Sequence, residues 1–149
     1  MPLHGRRFAS VSITSGSPPP LGGGGDAGSG SGGTSLSNGV SGQGSIKLAK
    51  GFVLDEIHAD KSCRIEFYDT LAHATADARR KIGAAPKKGS GLQGEFIFTA
   101  SNQTIVCDPP VVVKNGDTPQ TDTIYYRITN LSGSPATITL TLTYTPYIE

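Results

Sequence analysis

The stretch ATITLTLTY, residues 136–144, places Ile138, Leu140, Leu142 and Tyr144 at every second position, with Thr137, Thr139, Thr141 and Thr143 between them. Successive side chains of a β-strand point to opposite faces, so this spacing specifies a strand with one apolar face turned to a core and one threonine face turned away. TIYYRITN, residues 123–130, repeats the pattern with Ile124, Tyr126 and Ile128 inward. The link between them, NLSGSP at 130–135, is turn chemistry, so the two strands are expected to pair as an antiparallel hairpin.

The same period of two runs back to residue 46. SIKLAKGFVLDEI sets Ile46 and Leu48 on one face and, after Gly51, Phe52 and Leu54. CRIEFY reads as a half-buried strand, with Cys63, Ile65 and Phe67 on one side and Arg64, Glu66 and Tyr68 on the other. GEFIFTA and TIVCDPPVVV supply two or three more strands, Pro109 and Pro110 marking an edge or a bend because proline cannot donate to a ladder. DTLAHATADARRKIG, residues 69–83, breaks the pattern. Its alanines and charges favour helix, so it is expected to connect two strands with about two helical turns near Thr75–Lys81. Seven or eight short strands with regular turn signals make an all-β fold, an antiparallel β-sandwich with one short helical connection.

The sandwich is expected over residues 46–149, preceded by a long extended arm over residues 1–45. The arm holds 13 of the 20 glycines and only three charged residues, Arg6, Arg7 and Asp26. Within it, residues 1–14 read as an anchor, where Phe8, Val11 and Ile13 stand among polar neighbours and the last two alternate as in a short strand. Residues 15–45 read as a tether, about 100 Å long if fully extended. Fixing such a chain costs roughly 1–2 kcal/mol per residue in backbone entropy, and it has no interior to offset that cost. Contacts that order it must come from a partner surface. Strand addition by Val11 and Ile13 to an exposed sheet edge is the expected mode, backbone hydrogen bonds supplying the affinity.

Chemistry is sparse. Residues 46–149 balance 11 basic against 11 acidic side chains, which argues against a general nucleic-acid face. No apolar run approaches the roughly 20 residues needed to span a bilayer, and Met1–Ser10 lacks the apolar core of a signal peptide, so neither membrane nor secretion is expected. His4, His58 and His73 do not stand at metal-ligand spacing from one another or from a cysteine, and no nucleophile elbow or phosphate-cradling loop occurs. No catalytic, cofactor or metal residue is therefore assigned. Cys63 and Cys107 lie in strand-like runs, as buried free thiols or as a bridge. RRKIGAAPKK, residues 79–88, is the one concentrated charge: Arg79, Arg80, Lys81, Lys87 and Lys88 are candidates for gripping an acidic partner face. A sugar-binding module, the main small-ligand alternative, would need Tyr68, Tyr125 and Tyr147 exposed on one platform.

Two segments, RIEFYDTLAHATADARRKIG (64–83) and TIYYRITNLSGSPATITLTLTY (123–144), resemble small β-sandwich domains of structural proteins of tailed bacteriophages, particularly tail-associated and fibre proteins. The shared features fall on Arg64 and Tyr68 closing a strand, on Thr75, Ala76, Asp77, Ala78 and Arg80 in the connection, and on Tyr126–Ser134. The likeness spans residues 46–147 and leaves the arm outside it. It implies a non-enzymatic virion subunit at the tail, baseplate or fibre, assembled in the host cytoplasm. Its expected partners are other virion structural proteins and further copies of itself, a trimer among the options. A capsid cement or decoration protein is the alternative within the same class, and a carbohydrate-binding host-recognition module the alternative outside it.

Overall fold

A computed structural model of the chain describes residues 5–13 and 39–148. It is an antiparallel β-sandwich of eight strands and one short helix. The strands are β1 (Arg7–Ile13), β2 (Ser41–Lys47), β3 (Gly51–Ala59), β4 (Cys63–Tyr68), β5 (Leu92–Phe98), β6 (Gln103–Lys114), β7 (Thr123–Asn130) and β8 (Ile138–Ile148), with the helix α1 (Leu71–Ala76) between β4 and β5. One sheet has the order β1-β8-β3-β6 and the other β2-β7-β4-β5. This interleaving is that of the jelly roll, an eight-stranded double sheet wound as two Greek keys.

The alternating residues fill the space between the sheets. Phe52, Leu54 and Ile57 from β3, Ile138, Leu140, Leu142 and Tyr144 from β8, and Cys63, Ile65, Phe67, Ile124, Tyr126 and Ile128 from the facing sheet form one buried cluster. Phe52 meets Tyr144 edge to face at 5.2 Å between ring centroids, and Phe67 meets Phe96 at 6.2 Å, both within the range of favourable aromatic packing. Cys63 and Cys107 are free and buried, on strands of opposite sheets. Burial pushes the Cys63 thiol up to about 12, with the nearby Asp60 charge adding to it, so the sulfur stays protonated and unreactive.

Four expectations are corrected. First, β7 and β8 point their apolar residues inward as read, but they are not a hairpin. They lie in different sheets, and the 130–135 link arches across the core between them. The buried Asn130 organises that arch. Its Oδ1 accepts from the Ser132 backbone N–H, its Nδ2 donates to the Ser134 carbonyl, and Gly133 turns the chain at φ +95°. Strict alternation tells which face is buried without telling which strand lies alongside.

Second, the helix begins earlier than the composition suggested. Thr70 caps it, its hydroxyl accepting from the His73 N–H, and the last helical residue is Ala76. Third, β4 is buried on both faces rather than one. Fourth, residues 7–13, read as part of the arm, form β1 of one sheet, and residues 41–45, read as tether, are ladder residues of β2 in the other, paired with Tyr125–Thr129. Gly44 belongs there because the Tyr126 ring lies against its Cα, where a Cβ would stand only 2.5 Å from the hydroxyl.

Pro109 and Pro110 fall on β6, an edge strand, as their missing donors require. Residues 14–38, most of the tether, lie outside the described residues.

Burial sets the expected response to truncation. Leu142→Ala should lower unfolding free energy by roughly 2–5 kcal/mol through lost burial and the cavity left behind. Val106→Ala, on a side chain 66% exposed, should change it by less than about 0.5 kcal/mol. Urea titration of both variants checks the pair.

Candidate functional site

Three places gather chemically capable side chains: the covered outer face of the β2-β7-β4-β5 sheet, a notch beside α1, and the sheet edge that carries β1.

The first explains why β4 has no solvent face. Register places Gln43, Arg127, Glu66 and Glu95 in one row across β2, β7, β4 and β5, with Arg64 and Tyr68 in the flanking rows. The connection from Asp69 to Gly91 folds back over this row and brings Asp77 and Arg80 onto it. Arg80 Nη2 lies 2.8 Å from Glu66 Oε2 and 3.2 Å from Glu95 Oε1, and its Nε donates to Asp77 Oδ2 at 2.9 Å. Its Nη1 donates to the Ala84 carbonyl at 2.8 Å. Arg64 Nε donates to Glu95 Oε2 at 2.6 Å, and Arg64 Nη1 to the Arg80 carbonyl at 2.9 Å. Arg127 Nη2 donates to the Ala74 carbonyl of α1 at 2.6 Å and to Gln43 Oε1 at 2.8 Å. The Tyr68 hydroxyl sits 2.6 Å from Asp77 Oδ2 and 2.8 Å from Glu66 Oε2.

Glu66 is fully buried, and two of its neighbours, Arg64 and Arg127, are each about 4% exposed. Burial raises the Glu66 carboxyl above its ordinary range, against the Tyr68 hydrogen bond and the Arg64 and Arg80 charges. Burial also pushes Asp77 upward, but the hydrogen bonds from Tyr68 and Arg80, with the Arg80 and Arg127 charges, outweigh it and hold that carboxyl below its ordinary value. Desolvation comes first for Arg127 too, and lowers its pKa. Glu66 Oε1 and Arg127 Nε have no hydrogen-bond partner among the described residues. Removing one member of such a set leaves an uncompensated buried charge, so the cluster fastens the 69–91 connection to the sheet.

This outcome divides the basic run. Arg80, read as a candidate for partner binding, is spent inside the molecule with a side chain 7% exposed. Arg79, Lys81, Lys87 and Lys88 are exposed. Of these, Lys87 and Lys88 line the second site, an open notch of about 170 Å³ shared with His73, Asp77 and Ser90. His73 Nδ1 lies 2.6 Å from Asp69 Oδ1, which orients the ring. Gly91, at φ +77°, makes room for that pair, since a Cβ there would stand 2.3 Å from both Asp69 Oδ1 and His73 Nδ1. Two lysines and an imidazole suit a carboxylate or another acidic group on a partner. Among the described residues no group of three or more His, Cys, Asp or Glu side chains is arranged to hold a metal ion.

The sugar-platform geometry does not form. Tyr68 is fully buried under the connection, Tyr125 is half-buried and donates to Asp117 Oδ2 at 2.7 Å, and Tyr147 projects from the opposite sheet.

The third place is the edge of β8. Here β1 pairs antiparallel from Arg7↔Tyr144 to Ile13↔Ile138. The segment that holds Phe8, Val11 and Ile13 is thus a strand on a sheet edge of its own chain, where a partner surface was expected to order it. Val11 and Ile13 stand at register positions opposite the inward residues Leu140 and Ile138. Phe8 stands opposite Thr143 and is 73% exposed. Arg6 reaches Asp55 at 3.7 Å, at the point where the β3 ladder shifts register.

Sequence reading singled out Arg64, Tyr68, Asp77 and Arg80 for a resemblance but missed Glu66, Glu95 and Arg127 as their partners. The available signal was three charged or hydroxyl side chains on alternate positions of β4, the same positions that would have faced water.

Arg80→Ala should destabilise the fold by roughly 3–5 kcal/mol, whereas Lys87→Ala and Lys88→Ala should each stay within about 0.5 kcal/mol, by chemical denaturation at neutral pH. A carboxyl whose folded pKa is depressed contributes stability that is present above its unfolded value and lost as pH falls through the folded one. For Asp77, with an ordinary value of 3.8, that loss should lie in the acid range below about pH 4. Asp77→Asn should flatten this part of the stability–pH curve, read by urea titration at stepped pH. No protein-family model matches the chain, and no curated protein or solved structure is detectably similar to it.

Proposed function

We propose that the chain is a non-enzymatic structural subunit of a tailed-phage virion, set at the tail, baseplate or fibre attachment, whose N-terminal segment joins it to neighbouring subunits. The observation that carries this reading is β1. It is a strand at the end of a long Gly/Ser/Pro-rich connection, and it occupies a sheet edge through its backbone ladder. A strand held in that way is an attachment device, because the same ladder forms on any edge of matching register. Further support comes from the polar network under residues 69–91, which uses Arg64, Tyr68, Asp77 and Arg80 to hold the body together.

The jelly-roll order favours a second placement in the same class. Double-sheet jelly rolls recur in viral capsid domains as well as in lectins, so a cement or decoration protein on the capsid surface fits the architecture equally. Fold alone does not choose between them, since function resides in sites set on folds.

Deletion of residues 1–13 tests the reading. The body should remain folded, with near-native circular dichroism in dilute solution, and should disappear from purified particles as judged by mass spectrometry. Unchanged incorporation would refute it. Cross-links from residues 5–13 of the intact chain to a baseplate or fibre protein place it at the tail, and cross-links to the major capsid lattice place it there instead.

A further inference from the structure

We infer that the β8 edge is the docking site for β1 of a second copy of this chain, so that copies join by exchanging their first strands; this rests on the attachment role proposed above and names its partner. Three observations lead there.

The first is how β1 is held. Among its described side chains only Ala9 packs against the core, while Phe8 is 73% exposed and the Arg6 contact to Asp55 is a 3.7 Å pair with Arg6 62% exposed. The ladder pairs Arg7–Ile13 with Tyr144–Ile138, and this pairing is the same whichever copy of the chain supplies the strand. The second is what β1 leaves behind. Without it, β8 would be a long bare edge from Ile138 to Tyr144, a template for uncontrolled pairing that folded proteins keep covered. The edge requires an occupant, and the one sequence whose register is known to suit it is residues 7–13. The third is reach. The connection from Ile13 to Ser41 could extend to about 90 Å, ample for delivering β1 to an adjacent body.

The same connection sets the conditions for exchange. A Gly/Ser linker of this length gives the chain's own β1 an effective concentration in the millimolar range at its own edge. Dilute protein therefore closes on itself. Where copies are packed side by side, a neighbour's β1 competes on equal terms, and the seven backbone pairs are neither gained nor lost. Each body donates one strand and accepts one, a head-to-tail relation that closes into a ring or continues along a row.

Disulfide trapping in the full-length chain tests this. Ser10 and Thr141 are directly opposite in the β1–β8 ladder, close enough for a bridge. The double variant Ser10→Cys/Thr141→Cys should cross-link within one chain when oxidised at micromolar concentration. A mixture of the two single variants, distinguished by tags and concentrated to the millimolar range, should yield the mixed disulfide dimer. Deleting residues 14–38, which leaves only Gly39 and Val40 between Ile13 and Ser41 to cross between sheets about 10 Å apart, should increase its yield at a given concentration roughly tenfold, as the link can no longer seat β1 on its own edge. The proposal is overturned if the double variant closes internally while the mixture gives no mixed dimer at any concentration with either linker. It is overturned equally if the double variant does not close at all, since the ladder would then be absent. Both readouts come from purified protein, so they are independent of whether the chain enters particles.

Discussion

A glutamate closed off from water in the middle of a β-strand governs how the outer side of one sheet is built. Glu66 lies between Arg127 on β7 and Glu95 on β5, and it must be met by cations that water would otherwise replace. Arg64 comes from the same strand, but Arg80 comes from a connection that has to fold back to deliver it. The helix α1, the Thr70 cap and the alanine-rich turn all follow from that requirement, and so does the burial of Tyr68. An ionic cluster of this kind adds little net stability compared with a well-packed apolar surface. What it does is specify one path for a segment whose sequence, poor in large apolar residues, could take many.

Much of the fold is legible in residue order because period-two burial leaves a direct trace. Ile124, Tyr126, Ile128, Ile138, Leu140, Leu142 and Tyr144 are inward as their spacing demands. Pairing is another matter. The link at 130–135 has the composition of a hairpin turn, yet the buried Asn130 uses its amide to carry the chain across the core, and nothing in the local residues separates a turn from an arch. CRIEFY read as half-buried for a related reason. Arg64, Glu66 and Tyr68 are the residue types that face solvent on an ordinary strand, and only a segment arriving from outside the strand converts that face into an interior.

The polar network was half visible. Arg64, Tyr68, Asp77 and Arg80 are the residues that carried the expected resemblance, whereas Arg127 and Glu95 join them through sheet register, which spacing along the chain does not encode. The basic run shows the same limit. Five cations in ten residues read as one patch, but Arg80 is drawn inward by Asp77, Glu66 and Glu95 and the others are left on the surface. The anchor residues were legible as a strand because Val11 and Ile13 alternate. The edge they would meet was not, since β8 becomes an edge only through the interleaved order of the two sheets.

The direction in which β1 runs along β8 also decides how that joint bears tension. Pulling on residue 5 away from the sheet opens the pairs one after another from Arg7↔Tyr144, as a zipper opens. Pulling from the Ile13 end along the strand axis strains all the pairs together, so the joint slides only when they fail at once. A clasp loaded through its linker is therefore mechanically strong, while the same clasp lifted by its free tip peels away with little force.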